Sequence, residues 1–190
     1  MVWFMQNEKD YIIELREGNQ QAFSAIYDSY HIRMYSFAYK YLQNKALAED
    51  AVQAVFLYIW ERRAILNPDF SFKSFIFTLL KNHLLNMIRD RFSHMEKDLI
   101  YLSKQPSFEN PENLSDFDEL VRALYTEIEA LPARKRAICK LKIGEGLDNK
   151  EIASQLNISI NTVKFQYSQS IKMLRDKLEK YSFLLLFLLK

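Results

Sequence analysis

Apolar residues recur at spacings of three and four along nearly the whole chain, and that period belongs to α-helices. In the segment QQAFSAIYDSYHIRMYSFAYKYL, introduced by Gly18 and Asn19, one stripe carries Phe23, Ile26, Tyr27, Tyr30, Met34, Phe37, Ala38 and Tyr41. The stripe predicts a core-facing helix; an aromatic stacking platform would sit exposed among basic residues. After Gln43 and Asn44 comes KALAEDAVQAVFLYIWERR, with Ala48, Ala51, Val52, Val55, Phe56 and Ile59 on its inner side. Asp50, Gln53 and Leu57 share another face of that helix. Asn67 and Pro68 interrupt the chain, and a third helix is predicted from near Ser71 through SFKSFIFTLLKNHLLNMIRDRF. There Ile76, Leu80, Leu84 and Met87 point one way, while Thr78, Asn82, Leu85 and Arg89 line the far side. The alternation of period two that marks a strand is absent.

From Ser103 the composition changes sharply, with Pro106 and Pro111 among Asn and Ser, until helical spacing is regained from Leu114. Acids Glu109, Glu112, Asp116, Asp118 and Glu119 outnumber the nearby bases, which reads as an acidic, self-repelling linker. The regained spacing runs through Leu120, Ala123, Leu124 and Ile128. Leu131 to Lys180 then contains three helical segments and two corners. The first segment starts near Ala133 and stops at Gly144 and Gly146, residues that tolerate positive φ. Asp148 opens a short second helix with Ile152, Ala153 and Leu156 inward. Asn157, Ile158 and Ser159 turn the chain, and Ser159 is a good N-cap for the last helix. Its apolar stripe is Ile160, Val163, Tyr167, Ile171, Leu174 and Leu178; Asn161, Thr162, Lys164, Gln166, Gln169, Lys172 and Arg175 lie on other faces.

A short helix, a tight turn and a longer helix with a cationic face form a helix-turn-helix pattern, since the major groove of ~12 Å admits one α-helix. Spacing alone fits an ordinary trihelical bundle equally well. Arg134, Lys135, Arg136, Lys140 and Lys142 tip the balance, because they make the segment basic on several faces and so favour nucleic acid. The third helix is basic as well, through Lys73, Lys81, Arg89 and Arg91, with Phe72, Phe75 and Phe77 clustered at its start. Rings beside cations suit single-stranded nucleic acid, although core packing accounts for most of these phenylalanines. Asp50, Gln53 and Leu57 combine a charge, an amide and an apolar knob. That mixture suits docking of a partner helix and fits a solvated face equally well.

Composition adds bounds. The 190 residues permit one large or two small domains, and 49% hydrophobic content with only three glycines and four prolines predicts an all-α protein; the acidic linker makes it two small helical domains. Net charge is only +2, so the distribution of charge carries the inference. The single cysteine, Cys139, excludes an intrachain disulfide and reads as a core filler. Met1 to Met5 is too short for a secretory signal, and a cytoplasmic protein is expected. The apolar run Phe183 to Leu189 is too short to span a bilayer, which needs roughly 20 residues. His31, His83 and His94 stand far apart without ligand-spaced partners, and Gly18, Gly144 and Gly146 cannot build a phosphate loop. No enzyme, metal site, cofactor or small-molecule substrate is therefore expected.

AEDAVQAVFLYIWERR, FKSFIFTLLKNHLLNMIRDR and ALPARKRAICKLKIGEGLDNKEIASQLNISINTVK, in this order, resemble bacterial RNA polymerase sigma factors of the extracytoplasmic-function (ECF) subfamily. The resemblance takes in nearly the whole chain. It implies a region 2-like domain over 1–97, a linker over 98–119, a region 4-like helix-turn-helix domain over 120–182 and an apolar tail over 183–190. Core RNA polymerase, promoter DNA and an anti-sigma factor are the implied partners. Asp50, Gln53, Val55, Phe56 and Leu57 would bind polymerase, with Ala54 standing where the family commonly has Glu or Asp. Lys73, Lys81, Asn82, Arg89 and Arg91 would hold the −10 element as it melts. Arg134, Arg136, Asn161, Thr162, Lys164, Phe165, Gln166 and Lys172 would read the −35 element as duplex. The competing reading is a stand-alone helix-turn-helix regulator that binds duplex DNA as a dimer.

Overall fold

The computed structural model describes residues 8–102 and 116–178. Among these residues there are eight α-helices and no strand, in agreement with the hydrophobic period. The expected tail over 183–190 and the greater part of the expected linker lie outside the described residues. The chain divides into two compact units, residues 1–85 and 86–190. The division falls inside one long helix, ahead of the expected end of the first domain at 97.

The first unit begins with α1 (Glu8–Arg16), followed by α2 (Gln20–Leu42) and α3 (Lys45–Glu61). Asn19 caps α2 by accepting the N–H groups of Gln21 and Ala22, at 2.8 and 3.2 Å. Gln43 ends α2 in the left-handed region at φ 50, and Asn44 immediately caps α3 by accepting the Leu47 N–H at 3.0 Å. With two residues between them, α2 and α3 fold back side by side. Ala48, Ala51, Val52, Val55, Phe56 and Ile59 are all buried, as their spacing predicts. Rings fill the seam: Phe56 packs edge-on to Phe23 at 6.1 Å and lies 4.7 Å from Tyr27. α1 is tied down by Leu15 and Ile12, both buried, and by the Tyr30 hydroxyl, which donates to Glu8. Burial, and then this carboxylate, push the Tyr30 pKa up.

α4 (Phe72–Leu102) starts where Ser71 accepts the Ser74 N–H, and it runs further than the sequence pattern suggests. Its first half, with Phe72, Ile76, Leu80 and Leu84 buried, belongs to the first unit; Asn86 onward belongs to the second. Ile88 rather than Met87 continues the buried row.

The second unit adds α5 (Asp116–Glu129), α6 (Ala133–Cys139), α7 (Asn149–Gln155) and α8 (Ile160–Lys177). A π-turn at Lys140–Gly144 extends α6. Phe117, Leu120, Val121, Leu124 and Ile128 make the buried side of α5. From α4, Phe92 enters this core fully buried, with its ring 5.2 Å from Tyr125. Gly146 has φ +73, but Gly144 does not adopt a positive φ. Its small size serves a close approach, since a Cβ there would stand 3.2 Å from the Phe92 ring. Asp148 forms a full capping box with Glu151, and Ser159 caps α8 by accepting the Thr162 N–H at 3.0 Å. The two residues that open these helices were both legible from their type and place. Cys139 is buried, and desolvation lifts its thiol to about 11, so it is a core residue rather than a reactive one.

Candidate polymerase and promoter surfaces

On α3 the face opposite the core presents Asp50 and Gln53, both exposed, and Leu57, which is 58% exposed. Val55 and Phe56 do not share it. They are 3% and 2% exposed, because they fill the α2–α3 seam, so they pack α3 from inside instead of presenting a contact surface. Gln53 stands on a ridge between two grooves. One, of about 560 Å³, is lined by Gln20, Phe23, Tyr27, Phe56, Leu57 and Trp60. The other, of about 340 Å³, is lined by Tyr27, His31, Ile32, Tyr35, Glu49 and Val52. An amide on a ridge flanked by apolar grooves, with Leu57 and Ile32 exposed, is suited to a helical partner. Phe23 and Tyr27 were read from the pattern only as core; both are half-buried and line these grooves. Arg63 stiffens the end of α3 by lying over the Trp60 ring at 4.7 Å and donating to its carbonyl at 2.8 Å.

Between α3 and α4 a cavity of about 230 Å³ is lined by Tyr58, Arg62, Asn67, Phe70, Phe72 and Phe75 among others. Phe70 is 74% exposed, and Phe75 is also exposed, whereas Phe72 is buried against Tyr30 at 5.7 Å. Of the three phenylalanines at the start of α4, only Phe75 is therefore offered to a ligand; Phe77 meets Phe37 edge-on at 5.5 Å. The loop is shaped by Asn67, which accepts the Asp69 N–H at 2.9 Å, and by Lys9, which donates to Asp69 at 2.6 Å. Tyr58, Arg62 and Phe70 were not singled out from the sequence, and Asn67 was read only as part of a chain break. The signal available was an exposed aromatic next to the Asn67–Pro68 break.

The cations and amide expected along α4 separate into two groups. Lys73 and Asn82 are exposed and Lys81 is half-buried, all in the first unit. Arg89 and Arg91 are in the second unit and engaged there. Arg91 donates through Nε to Asp118 on α5, and the Arg89 guanidinium lies so close to Gly146 that a Cβ there would stand 2.4 Å from its Cζ. Arg89 also donates to Asn86 at 2.9 Å.

On α8, Asn161, Phe165, Ser168 and Lys172 follow one another at spacings of four, three and four, and all are exposed, Phe165 to 61%. Lys164 and Gln169 are exposed beside this stripe, and Thr162 is half-buried with its hydroxyl 2.8 Å from that of Ser159. Ile160, expected in the core stripe, is instead 41% exposed at the first position after the Ser159 cap. Ser168 was missed, since neither charge nor bulk marks it. Arg134 is exposed at the start of α6, but Arg136 is drawn back to Glu129, donating to its carbonyl at 3.0 Å. Lys140 pairs with the same residue at 2.5 Å, and that bond, above all, holds the Glu129 carboxyl below its ordinary range. Gln166 is half-buried and accepts a hydrogen bond from Lys135 at 2.7 Å.

Among the described residues no group of His, Cys, Asp and Glu could hold a metal ion, and no helix is long and apolar enough to cross a membrane. A helix-turn-helix with an exposed stripe of mixed polar and aromatic residues fits a DNA-binding protein, and the exposed ridge on α3 suits a protein partner. Residues 26–92 match the model of sigma-70 region 2, and residues 121–174 match that of sigma-70 region 4. The chain is 28% identical over 184 residues to the ECF RNA polymerase sigma factor SigW of Bacillus subtilis, covering 90% of this chain and 96% of that protein. To the ECF RNA polymerase sigma factor SigE of Mycolicibacterium smegmatis it is 29% identical over 152 residues, covering 79% of this chain and 59% of that protein. A solved structure of CnrH in complex with the cytosolic domain of CnrY aligns with 92% of this chain and 99% of that chain at 17% identity and a TM-score of 0.40, a likeness too slight to carry weight. The two regions together take in more than half of the chain, which belongs to the sigma-70 family as an ECF-type RNA polymerase sigma factor. It directs transcription initiation from promoters, with core RNA polymerase and promoter DNA as its partners. A stand-alone dimeric regulator is not favoured.

Proposed function

We propose that the labour is divided among three surfaces, within functional modules at 1–97 and 120–182 joined by the acidic segment 98–119. The ridge of Asp50, Gln53 and Leu57 docks a helical element of core polymerase, with apolar side chains of the partner settling into the flanking grooves. Val55 and Phe56 hold that ridge in place. The start of α4 and the loop before it hold one strand of the opened −10 element. Unstacking a base costs a few kcal/mol, and stacking on an aromatic side chain returns ~1–3 kcal/mol. Phe70 and Phe75 supply rings for this, Asn67 and Asn82 supply amides for base edges, and Lys73 meets a phosphate. The stripe of Asn161, Phe165, Ser168 and Lys172 enters the major groove of the −35 element, flanked by Thr162, Lys164 and Gln169. Arg134 lies at the backbone.

The chain itself performs no catalysis in this reading, the polymerase supplying all of it, and it acts in the cytoplasm. An anti-sigma factor is a further partner, for which the same α3 ridge is the natural target. What carries the reading is the α3 helix, whose inner side is wholly core while its outer side combines a carboxylate, an amide and an exposed leucine between two grooves. A double substitution Asp50→Ala, Gln53→Ala tests it. Co-purification with core polymerase is expected to fall sharply while the thermal unfolding curve stays put. Undiminished co-purification would remove α3 as the docking face.

A further inference from the structure

Gln166 lies on α8 one turn beyond Thr162, at the edge of the exposed stripe, and its side chain is not free. Lys135, on α6, donates to its Oε1 across 2.7 Å. An ammonium group has three donors and no acceptor, so the amide atom that meets it has to be the oxygen. The orientation of the amide is therefore set by chemistry, where an isolated glutamine would be free to flip. A planar amide whose carbonyl is turned to α6 turns its NH₂ the other way. The backbone beneath is also braced, since the buried Ser170 hydroxyl donates to the Gln166 carbonyl at 2.8 Å. Both Lys135 and Gln166 are half-buried, so water competes less for the bond than at an open surface.

We infer that Lys135 is a specificity-determining positioning residue: by holding the Gln166 carbonyl on α6, it limits Gln166 to donating to the DNA. A glutamine with both edges available reads adenine in a bidentate manner, donating to N7 and accepting from the N6 amino group. With its oxygen held back, Gln166 favours a base that shows acceptors alone in the major groove, guanine through N7 and O6 or thymine through O4. Lys135 thus shapes the upstream sequence preference without touching a base. The inference rests on the proposal that α8 reads duplex DNA.

The test uses the full chain with core RNA polymerase on a duplex promoter pool randomised across the upstream element, with transcripts sequenced. Wild type, Lys135→Met, Gln166→Ala and the double variant are compared. The wild type is expected to prefer guanine or thymine at one position, and Gln166→Ala to lose the preference there by roughly 5- to 10-fold, the scale of one base hydrogen bond. Lys135→Met is expected to shift that same position toward adenine, to leave the others alone, and to have no effect there once Gln166 is alanine. A uniform loss across all sequences with a shallower salt dependence would make Lys135 a phosphate contact and overturn the inference. An unchanged profile would overturn it as well. If the wild type shows no preference anywhere in the upstream element, the reading of α8 as the duplex reader fails first, and this proposal falls with it.

Discussion

The two halves of α4 both carry cations and differ in what those cations meet. Up to Leu85 the helix keeps Lys73 and Asn82 exposed, and its start helps line the cavity that holds Phe70 and Phe75. From Asn86 onward its arginines are engaged internally, Arg91 on Asp118 and Arg89 beside Gly146 and on Asn86, and Phe92 enters the core between Tyr125 and Gly144. Of the cations expected to meet DNA, Lys73 in the first half stands exposed, whereas Arg89 and Arg91 in the second are engaged within their own unit. Positive charge on a helix is a measure of attraction to DNA only after the internal partners are subtracted.

Substitutions in the two halves should separate stability from promoter function. The largest effect is expected at Phe92, where truncation to alanine empties a fully buried aromatic site. Unfolding of the second unit, followed by circular dichroism in urea, should become easier by about 3–5 kcal/mol. A loss no greater than that of an exposed phenylalanine would place this ring outside the core. Next comes Phe70→Ala, which should leave the unfolding curve alone and weaken the opened complex by ~1–3 kcal/mol, one stacked base. Permanganate reactivity of thymines in the opened region is the readout, and an undiminished signal would take the cavity out of the mechanism.

Lys73→Ala set against Arg91→Ala sharpens the contrast further. The first should reduce the slope of log affinity against log salt by about 1 without altering stability. The second should cost about 1 kcal/mol of stability, since the pair it breaks is partly exposed, and should leave the salt slope unchanged. The reverse pattern would exchange the roles of the two halves.

The smallest effect is in acid. The Asp148 carboxyl accepts the N–H groups of Glu151 and Lys150, which hold its pKa below the ordinary 3.8, and the bond from Lys140 holds Glu129 below 4.5. Groups depressed in the folded chain lend stability that is complete above their ordinary values and is lost as the pH falls through the folded ones. The urea midpoint of the second unit should therefore drop between about pH 5 and pH 2. Asp148→Asn keeps a capping acceptor but does not titrate, so it should flatten that drop; an unaltered profile would remove the cap from the account.

What the sequence disclosed and what it withheld follow one rule. Periodicity reports neighbours on the same helix, so the six inward residues of α3 and the caps at Asp148 and Ser159 were legible. It is blind to partners far along the chain. Arg91 and Asp118 are 27 residues apart, and Lys135 and Gln166 are 31 apart. Their pairing appears only once the helices are packed, and it changes the meaning of each residue. Val55 and Phe56 illustrate a related confusion. A motif groups them with Asp50 and Gln53, and a motif does not say which of its members face outward. Ser168 went unseen for the opposite reason, as a small hydroxyl that only its place in the exposed row singles out.

The most direct measurement is reconstitution. Core RNA polymerase freed of sigma is mixed with the purified chain and DNA, and the 5′ ends of the transcripts are sequenced. Discrete start sites that share two upstream elements at a fixed separation are expected with the native chain, and their loss is expected with the Asp50→Ala, Gln53→Ala variant. Starts as scattered as those of core enzyme alone, or discrete starts that persist in the double variant, would contradict the division of labour described above.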